Sequence, residues 1–277
     1  MSADRLRPFP ALVLLAALLA AGCSDAFDPF VEAEPAFALY GFLDARRDTQ
    51  FVRVQPVTDL DTNRVTARVT STALGTGERI AWRDSLVLLD DGTLGTVFYA
   101  PFRPEPGVRY RVEAALPGVP GVGSAAEITV PAEADLRVPA PSVVDGIVTQ
   151  GLVLEGDLRP RDVRVTYTVQ RVSGGEPVPF SFEYVSRSVP SAGGFEVVVN
   201  LLRDARAIRT VLGVEPGDGQ SVALVDLQLN YDLVDERGGV VSSGLGAFGA
   251  AACFETGWTL APAAVEAIGF VDAQGGA

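Results

Sequence analysis

Residues Val163–Val169, with the sequence VRVTYTV, carry the clearest secondary-structure pattern in this chain. Its odd positions are apolar or aromatic and its even positions are polar, which is the pattern of a β-strand with one buried face. Similar short segments recur on both sides of it. They are separated by turn-forming residues, such as Asp-Asp-Gly at 90–92 and Glu-Pro-Gly at 105–107. The sequence therefore predicts an all-β protein.

The predicted strands fall into two groups on either side of a Pro-rich segment. The first group has about seven strands, which is typical of a β-sandwich: Phe37–Phe42, Phe51–Gln55, Val65–Ser71, Glu78–Arg83, Gly95–Phe102, Val108–Ala114 and Ala126–Val130. The second group follows the segment: Gly151–Leu158, Asp162–Val172, Pro179–Val189, Gly194–Val199 and Ser221–Val234. We predict two antiparallel β-sandwich domains of immunoglobulin or transthyretin type, residues 36–131 and 143–277, joined by a linker at 132–142.

Two short helices are predicted in the second domain. Leu201–Leu212 follows Asn200, a good N-cap residue, and stops at Gly213, a good residue for a helix C-terminus. A shorter helix is predicted at Pro262–Ile268 and stops at Gly269.

Three arginines, Arg203, Arg206 and Arg209, recur every third residue along the first predicted helix. One interpretation is a surface that docks an acidic partner or lipid headgroups. The other, which we favour, is a solvated face paired with local acids such as Asp204.

The N-terminus has the features of a bacterial lipoprotein signal. Arg5 and Arg7 precede the apolar run Phe9–Leu19, which is followed by Ala-Ala-Gly-Cys at 20–23. The run is shorter than the roughly 20 apolar residues that span a bilayer as a helix, so it predicts an export signal. We expect cleavage between Gly22 and Cys23, a signal peptide of residues 1–22 and a tether of residues 23–35. The alternatives are an ordinary secretory signal cut near Ala21, or a cysteine that follows an apolar start by chance.

Lipidation of Cys23 would determine where the protein acts. A lipoprotein cysteine carries diacylglycerol, and two or more acyl chains hold a protein stably on a membrane, whereas one chain is marginal. Ser24 follows the cysteine, where an Asp would favour retention in the inner membrane. We therefore expect a lipid-anchored protein of a Gram-negative-type cell envelope, at the outer membrane in preference to the inner membrane.

Composition excludes several classes of function. The chain has no His and no Lys, so neither Ser-His-Asp catalysis, nor a His-based zinc site, nor a lysine Schiff base can form. Its net charge of −13 argues against nucleic-acid binding, which depends on clustered cations. We expect no cofactor and no enzyme activity. The alternative that survives is a hydrolase with paired carboxylates, as in glycoside hydrolysis.

Two further features have alternative interpretations. Asp59, Asp61 and Asn63 place oxygen ligands at alternate positions, as at the start of an EF-hand-like calcium loop, but Arg64 occupies the position of the required Gly. A polar turn is the favoured interpretation and a weak calcium loop the other. Cys253 has no second free cysteine to pair with once Cys23 is lipidated, and its apolar neighbours predict a buried, inert thiol, the alternative being a reactive one.

Several segments resemble an uncharacterised bacterial lipoprotein family called domain of unknown function 4249. Besides Cys23, they are ALYGFL at 38–43 before FVRV at 51–54, FRPEPGVRY at 102–110 and SGLGAFG at 243–249. The glycine-rich segment suits a close backbone approach or a bulge near Phe248. The resemblance implies an accessory role near outer-membrane receptors of the TonB-dependent kind, and it supplies no catalytic residues.

These observations lead to one function hypothesis and two alternatives. We expect a lipid-anchored envelope lipoprotein that acts as a non-catalytic binding or accessory module for an outer-membrane protein or a glycan. The first alternative is a structural or adhesion component of the envelope. The second is the carboxylate hydrolase.

Overall fold

A computed structural model describes residues 37–57, 65–88, 92, 94–189, 193–215, 221–236, 239–242 and 245–273. Within these ranges the chain is mostly β-strands with two short helices, which confirms the predicted all-β sandwich. Among the described helices, none is long and apolar enough to cross a membrane.

A nine-stranded sheet, called the large sheet below, takes strands from both predicted domains. Eight of its strands lie side by side in this spatial order: β13 (Val178–Glu183), β12 (Arg161–Arg171), β16 (Val222–Asp235), β18 (Leu245–Gly257), β1 (Phe37–Asp44), β2 (Gln50–Pro56), β6 (Leu94–Ala100) and β5 (Arg83–Leu88). The short strand β19 (Val271–Asp272) pairs with the beginning of β16. The pairs β1–β18 and β16–β19 are parallel, which differs from the predicted antiparallel order.

Two five-stranded sheets complete the strand inventory of the described residues. One contains β17 (Val240–Ser242), β8 (Gly123–Thr129), β7 (Arg109–Ala115), β3 (Arg68–Ala73) and β4 (Arg79–Ala81). The other contains β10 (Ser142–Val144), β11 (Ile147–Glu155), β15 (Gly194–Asn200) and β14 (Ser186–Val189), with β9 (Asp135–Arg137) paired to β11.

The core lies between these sheets and forms one continuous hydrophobic cluster. In β12 the side chains of Val163, Val165, Tyr167 and Val169 are all buried, as the alternating sequence predicts. Polar contacts tie the sheets together around this core. Ser124 of β8 accepts a hydrogen bond from the Phe37 backbone N–H at 3.2 Å and donates one to the Phe37 carbonyl at 2.7 Å.

Both predicted helices are present. Helix α1 spans Leu201–Leu212, and the Asn200 side chain accepts a hydrogen bond from the Arg203 backbone N–H at 3.0 Å. Gly213 ends α1 with φ of 64°, a left-handed conformation that glycine adopts without strain. Helix α2 spans Pro262–Ala267 and begins with proline, whose missing N–H has no helical partner at that position.

The predicted division into two domains differs from the structure, because Pro35–Ala277 forms one compact unit. β1 pairs along seven positions with β18, although more than 200 residues separate them, and β17 pairs with β8. The predicted linker at 132–142 contains β9 and the first residue of β10. Local composition could not reveal these pairings, since they join segments that are distant in sequence.

Two of the predicted strands change sheets part-way. The segment Glu78–Arg83 divides at Trp82 into β4 of one small sheet and β5 of the large sheet. The segment Pro179–Val189 divides in the same way into β13 and β14. Each crossing thus connects the large sheet to one of the two small sheets through a short covalent link.

Candidate functional site

The predicted lipidation and calcium residues lie outside the described residues. This applies to Gly22 and Cys23 at the N-terminus and to Asp59, Asp61 and Asn63 after β2. Among the residues that the structure does describe, no group of three or more His, Cys, Asp or Glu side chains is placed to hold a metal ion. The first described strand begins at Phe37, which is 14 residues beyond Cys23.

The outer face of the large sheet, opposite the core, carries an unusual concentration of exposed rings. In β1, Leu39 and Leu43 point into the core, so Tyr40 and Phe42 point outward and are 43% and 36% exposed. In β2, Val52 and Val54 point inward, and Phe51 on the outer face is 50% exposed. Together with Tyr99 of β6 these residues form the aromatic patch. Hydrophobic residues of this size are usually buried, so a cluster of them on a solvent-facing sheet indicates an interaction surface.

The register places the rings in a row across three neighbouring strands. Phe42 lies directly opposite Phe51, and Phe51 lies opposite Tyr99. The ring centroids of Phe51 and Tyr99 are 6.5 Å apart at an interplanar angle of 34°. Because neighbouring strands are about 4.8 Å apart, the row is roughly 10 Å long.

Gly249 of β18 makes room for the Phe42 ring at one end of the row. A Cβ atom at this position would lie 2.7 Å from Cδ2 of the Phe42 ring, so the ring leans over the bare backbone of the glycine. Any larger residue would lift Phe42 from the sheet. The close backbone approach predicted for the glycine-rich segment is present at Gly246, where a Cβ atom would collide with the backbone of Leu39 in β1.

Two arginines flank the aromatic patch. Arg53 lies opposite Tyr40 on β1 and Val97 on β6, and Arg83 lies opposite Tyr99 at the edge strand β5. Neither guanidinium forms an ion pair with a carboxylate of the described residues, whereas Arg46 and Arg203 elsewhere do. The patch is therefore locally cationic in a chain of net charge −13.

Further along the outer face, a charged cluster joins β1 to β16. Arg46 donates to both oxygens of Asp44, from Nε at 2.8 Å and from Nη2 at 2.9 Å, and Nη1 of Arg46 donates to Asp232. Burial raises the pKa of the Asp44 carboxyl, but hydrogen bonds from Arg46 and the charges of Arg46 and Arg47 outweigh this effect and hold the pKa below its ordinary value.

Cys253 lies beside this cluster on the outer face. Its side chain is exposed, so the expectation of a buried thiol was wrong. The neighbours Ala252 and Phe254 are buried, and alternation along β18 turns Cys253 to the opposite side. Partial burial raises the pKa of the thiol, and a hydrogen bond to Asp232 with that residue's negative charge raises it further.

Inside the protein, Asp204 of α1 is the centre of a second polar cluster. Its side chain is fully buried and accepts hydrogen bonds from the Tyr167 hydroxyl at 2.9 Å and from the Tyr184 hydroxyl. Arg203 donates to it from Nε at 2.9 Å. Burial, followed by the negative charge of Asp204, raises the pKa of Tyr167, so this phenol stays protonated as a donor.

The arginines of α1 are largely engaged in local contacts. Arg203 pairs with Asp204 as predicted, although Asp204 is buried and not solvated. Arg209 donates to the Ile268 carbonyl oxygen at 2.6 Å and lies over the Phe270 ring. Arg206 is exposed. Arg203 also donates to the Tyr184 hydroxyl at 2.8 Å, so Arg203 and Arg209 both fasten α1 to neighbouring segments.

Several cavities lie away from the aromatic patch. One groove of about 460 Å³ is lined by the start of β12 and the β13–β14 connection, and another of about 340 Å³ lies at the start of α1. A small cavity of about 60 Å³ lies beside Trp258, whose buried Nε1 has no hydrogen-bond partner in the described part of the chain. A buried donor of this kind is commonly satisfied by a water molecule.

The aromatic patch was missed by the sequence reasoning. In β1 both faces are apolar or aromatic, since Phe37 and Leu39 are buried while Tyr40 and Phe42 are not. Periodicity therefore could not assign an outer face to this strand. The available signal was Phe51 and Arg53 in β2, which alternate with the buried Val52 and Val54.

No protein-family model matches the chain, and no curated protein matches its sequence.

Proposed function

We propose that the chain is a lipid-anchored lipoprotein of the bacterial cell envelope whose β-sandwich body is a non-catalytic binding module. The anchor part rests on the sequence Ala-Ala-Gly-Cys at 20–23 after a short apolar run. The observation that carries the binding part is the aromatic patch, because exposed rings grouped on one face mark interaction surfaces.

The resemblance to domain of unknown function 4249 suggests where in the envelope the protein would act. It suggests a position beside an outer-membrane receptor, and the compact body after residue 35 is small enough to serve as an accessory subunit there. The tether from Cys23 to Phe37 spans at most about 50 Å when extended, so the body stays within that distance of the membrane surface.

Metabolic labelling with a fatty acid tests the anchor. The unaltered chain is expected to incorporate label, and Cys23→Ala is expected to lose it. Cys253→Ala is the matched control, since it removes the other cysteine and is expected to label normally. Equal labelling of Cys23→Ala and the unaltered chain contradicts the anchor.

Photo-crosslinking in intact cells tests the binding module. A photoreactive amino acid at position 51 places the probe within the aromatic patch, and the same amino acid at position 166 places it on the polar half of the same outer face. A defined adduct from position 51 that is absent from position 166 supports a binding surface. Identical patterns from both positions, or no adduct from either, favour a structural component of the envelope.

A further inference from the structure

We propose that the aromatic patch binds an acidic oligosaccharide, with sugar rings stacked on its aromatic side chains and carboxylate groups paired with Arg53 and Arg83. This inference rests on the proposed function only in taking the aromatic patch as the binding surface, and it adds the chemical class of the ligand.

The shape of the surface favours sugar rings. Phe42, Phe51 and Tyr99 form a row roughly 10 Å long on a sheet face, which is long enough for a short oligosaccharide. Aromatic rings carry a negative face and attract the weakly positive C–H groups that line one side of a sugar ring. The exposure of Tyr40, Phe42 and Phe51 leaves the patch open to solvent as a platform.

A platform of this kind suits a protein partner less well. Protein interfaces concentrate their binding energy in anchor side chains that enter well-packed pockets. The rings of the aromatic patch, which are one third to one half exposed at Tyr40, Phe42 and Phe51, would therefore need matching pockets on a protein partner. A flat ligand face can cover these rings without needing a pocket.

The charges of the patch favour an anionic ligand. Arg53 and Arg83 lie one at each side of Tyr99 and have no carboxylate partner among the described residues. A guanidinium matches a carboxylate with two parallel hydrogen bonds, so each arginine can take one acidic group of the ligand. In a chain of net charge −13, the two arginines beside the rings give an anionic ligand a local attraction at the patch.

The same charges disfavour a second copy of the chain as the occupant. A symmetric dimer uses one surface twice, so it would bring four arginines, two from each copy, into one interface. Like charges brought together in this way oppose association.

Binding of a short oligogalacturonate tests the proposal. The full chain in detergent is expected to bind this uronic-acid oligosaccharide and to bind a neutral malto-oligosaccharide of equal length much more weakly, as measured by titration calorimetry. Added salt is expected to weaken the binding, because exposed charges are screened. Equal affinity for the two oligosaccharides, or no binding of either, overturns the proposal.

Two variants locate the site. Phe51→Ala is expected to weaken binding roughly threefold to tenfold through the loss of one stacking surface. Arg53→Gln is expected to weaken it about threefold and to make it less sensitive to salt. Arg164→Gln is the matched control: it removes the same charge from the polar half of the outer face and is expected to bind normally.

Several outcomes separate this inference from its alternatives. Equal affinities for Phe51→Ala, Arg53→Gln and Arg164→Gln overturn it, provided that all three unfold at the temperature of the unaltered chain. Binding to anionic phospholipid vesicles that depends on Phe51, without binding to oligogalacturonate, overturns it in favour of a membrane surface. If Cys23 is not lipidated but oligogalacturonate binds at the patch, the anchor fails and the inference stands. If Cys23 is lipidated and oligogalacturonate does not bind, the inference alone fails.

Discussion

Asp204 inside the protein and Asp44 on the outer face are both paired with an arginine, but they differ in their access to water. The Asp204 side chain is fully buried, and two tyrosine hydroxyls complete its shell of donors. The Asp44 side chain is 10% exposed, and its partner Arg46 is 44% exposed. Water can replace Arg46 when that pair breaks, but it cannot reach Asp204 in the folded protein. We therefore expect these two similar ion pairs to contribute very differently to stability.

Replacing Asp204 should have the largest effect. Asp204→Ala leaves the buried hydroxyl of Tyr167 without its acceptor and Arg203 without its partner, so we expect a loss of about 3–5 kcal/mol in the free energy of unfolding. Urea denaturation measures this loss. Asp48→Ala removes a side chain that is 83% exposed and should change stability by less than about 0.5 kcal/mol. If Asp204→Ala lowers the free energy of unfolding no more than Asp48→Ala does, burial does not make the Asp204 pair more important than an exposed one.

Asp44 should contribute less than Asp204 to the free energy of unfolding, and its contribution should depend on pH. Its pKa is lowered below 3.8 in the folded protein, so its stabilising effect is complete above that value and is lost as pH falls through the folded pKa. Asp44→Asn should therefore be less stable than the unaltered chain by about 1 kcal/mol at neutral pH. The difference should disappear in acid. Denaturation at a series of pH values measures it, and a difference that stays constant down to the lowest pH would contradict this assignment.

The smallest expected effect is a shift in the pKa of the Cys253 thiol, which lies beside the cluster of Asp44, Arg46 and Asp232. Because partial burial and then Asp232 raise the pKa of Cys253, its alkylation by iodoacetamide should be slow at neutral pH and reach half its maximal rate above pH 9.0. Asp232→Asn removes the hydrogen-bonded negative charge and should lower that midpoint. Glu183→Gln, on the far strand β13, should leave it unchanged. An unchanged midpoint in Asp232→Asn would show that Asp232 does not control the thiol.

The local parts of the fold could be predicted because they depend on neighbouring residues. The alternation at Val163–Val169 placed β12, and Asn200 with Gly213 fixed both ends of α1. The sheet order could not be predicted in this way. The parallel pair β1–β18 joins strands from the two ends of the sequence of the body. Nothing in the sequence of either strand identifies the other as its partner. The prolines near residues 131–141 indicated a linker between two domains, but they flank the short strand β9.

The candidate site was less predictable than the fold for a related reason. Phe51 and Arg53 belong to an alternating strand, but their importance depends on Tyr40, Phe42 and Tyr99 in neighbouring strands. Cross-strand neighbours are fixed by register, which a sequence alone does not give. The exposure of Cys253 was missed for a different reason. Its apolar neighbours suggested burial, but alternation along β18 turns it outward.

The position of β1 has a mechanical consequence. β1 lies in the interior of the large sheet and pairs with β18 on one side and β2 on the other. If Cys23 is lipidated as proposed, a pull on that anchor would enter the body at Phe37 and act along the length of this strand. The hydrogen bonds on both sides of β1 would then bear the load together in shear, instead of opening one at a time. Under the proposed lipidation, β1 would thus be suited to keep the protein folded when the envelope or a bound partner exerts tension.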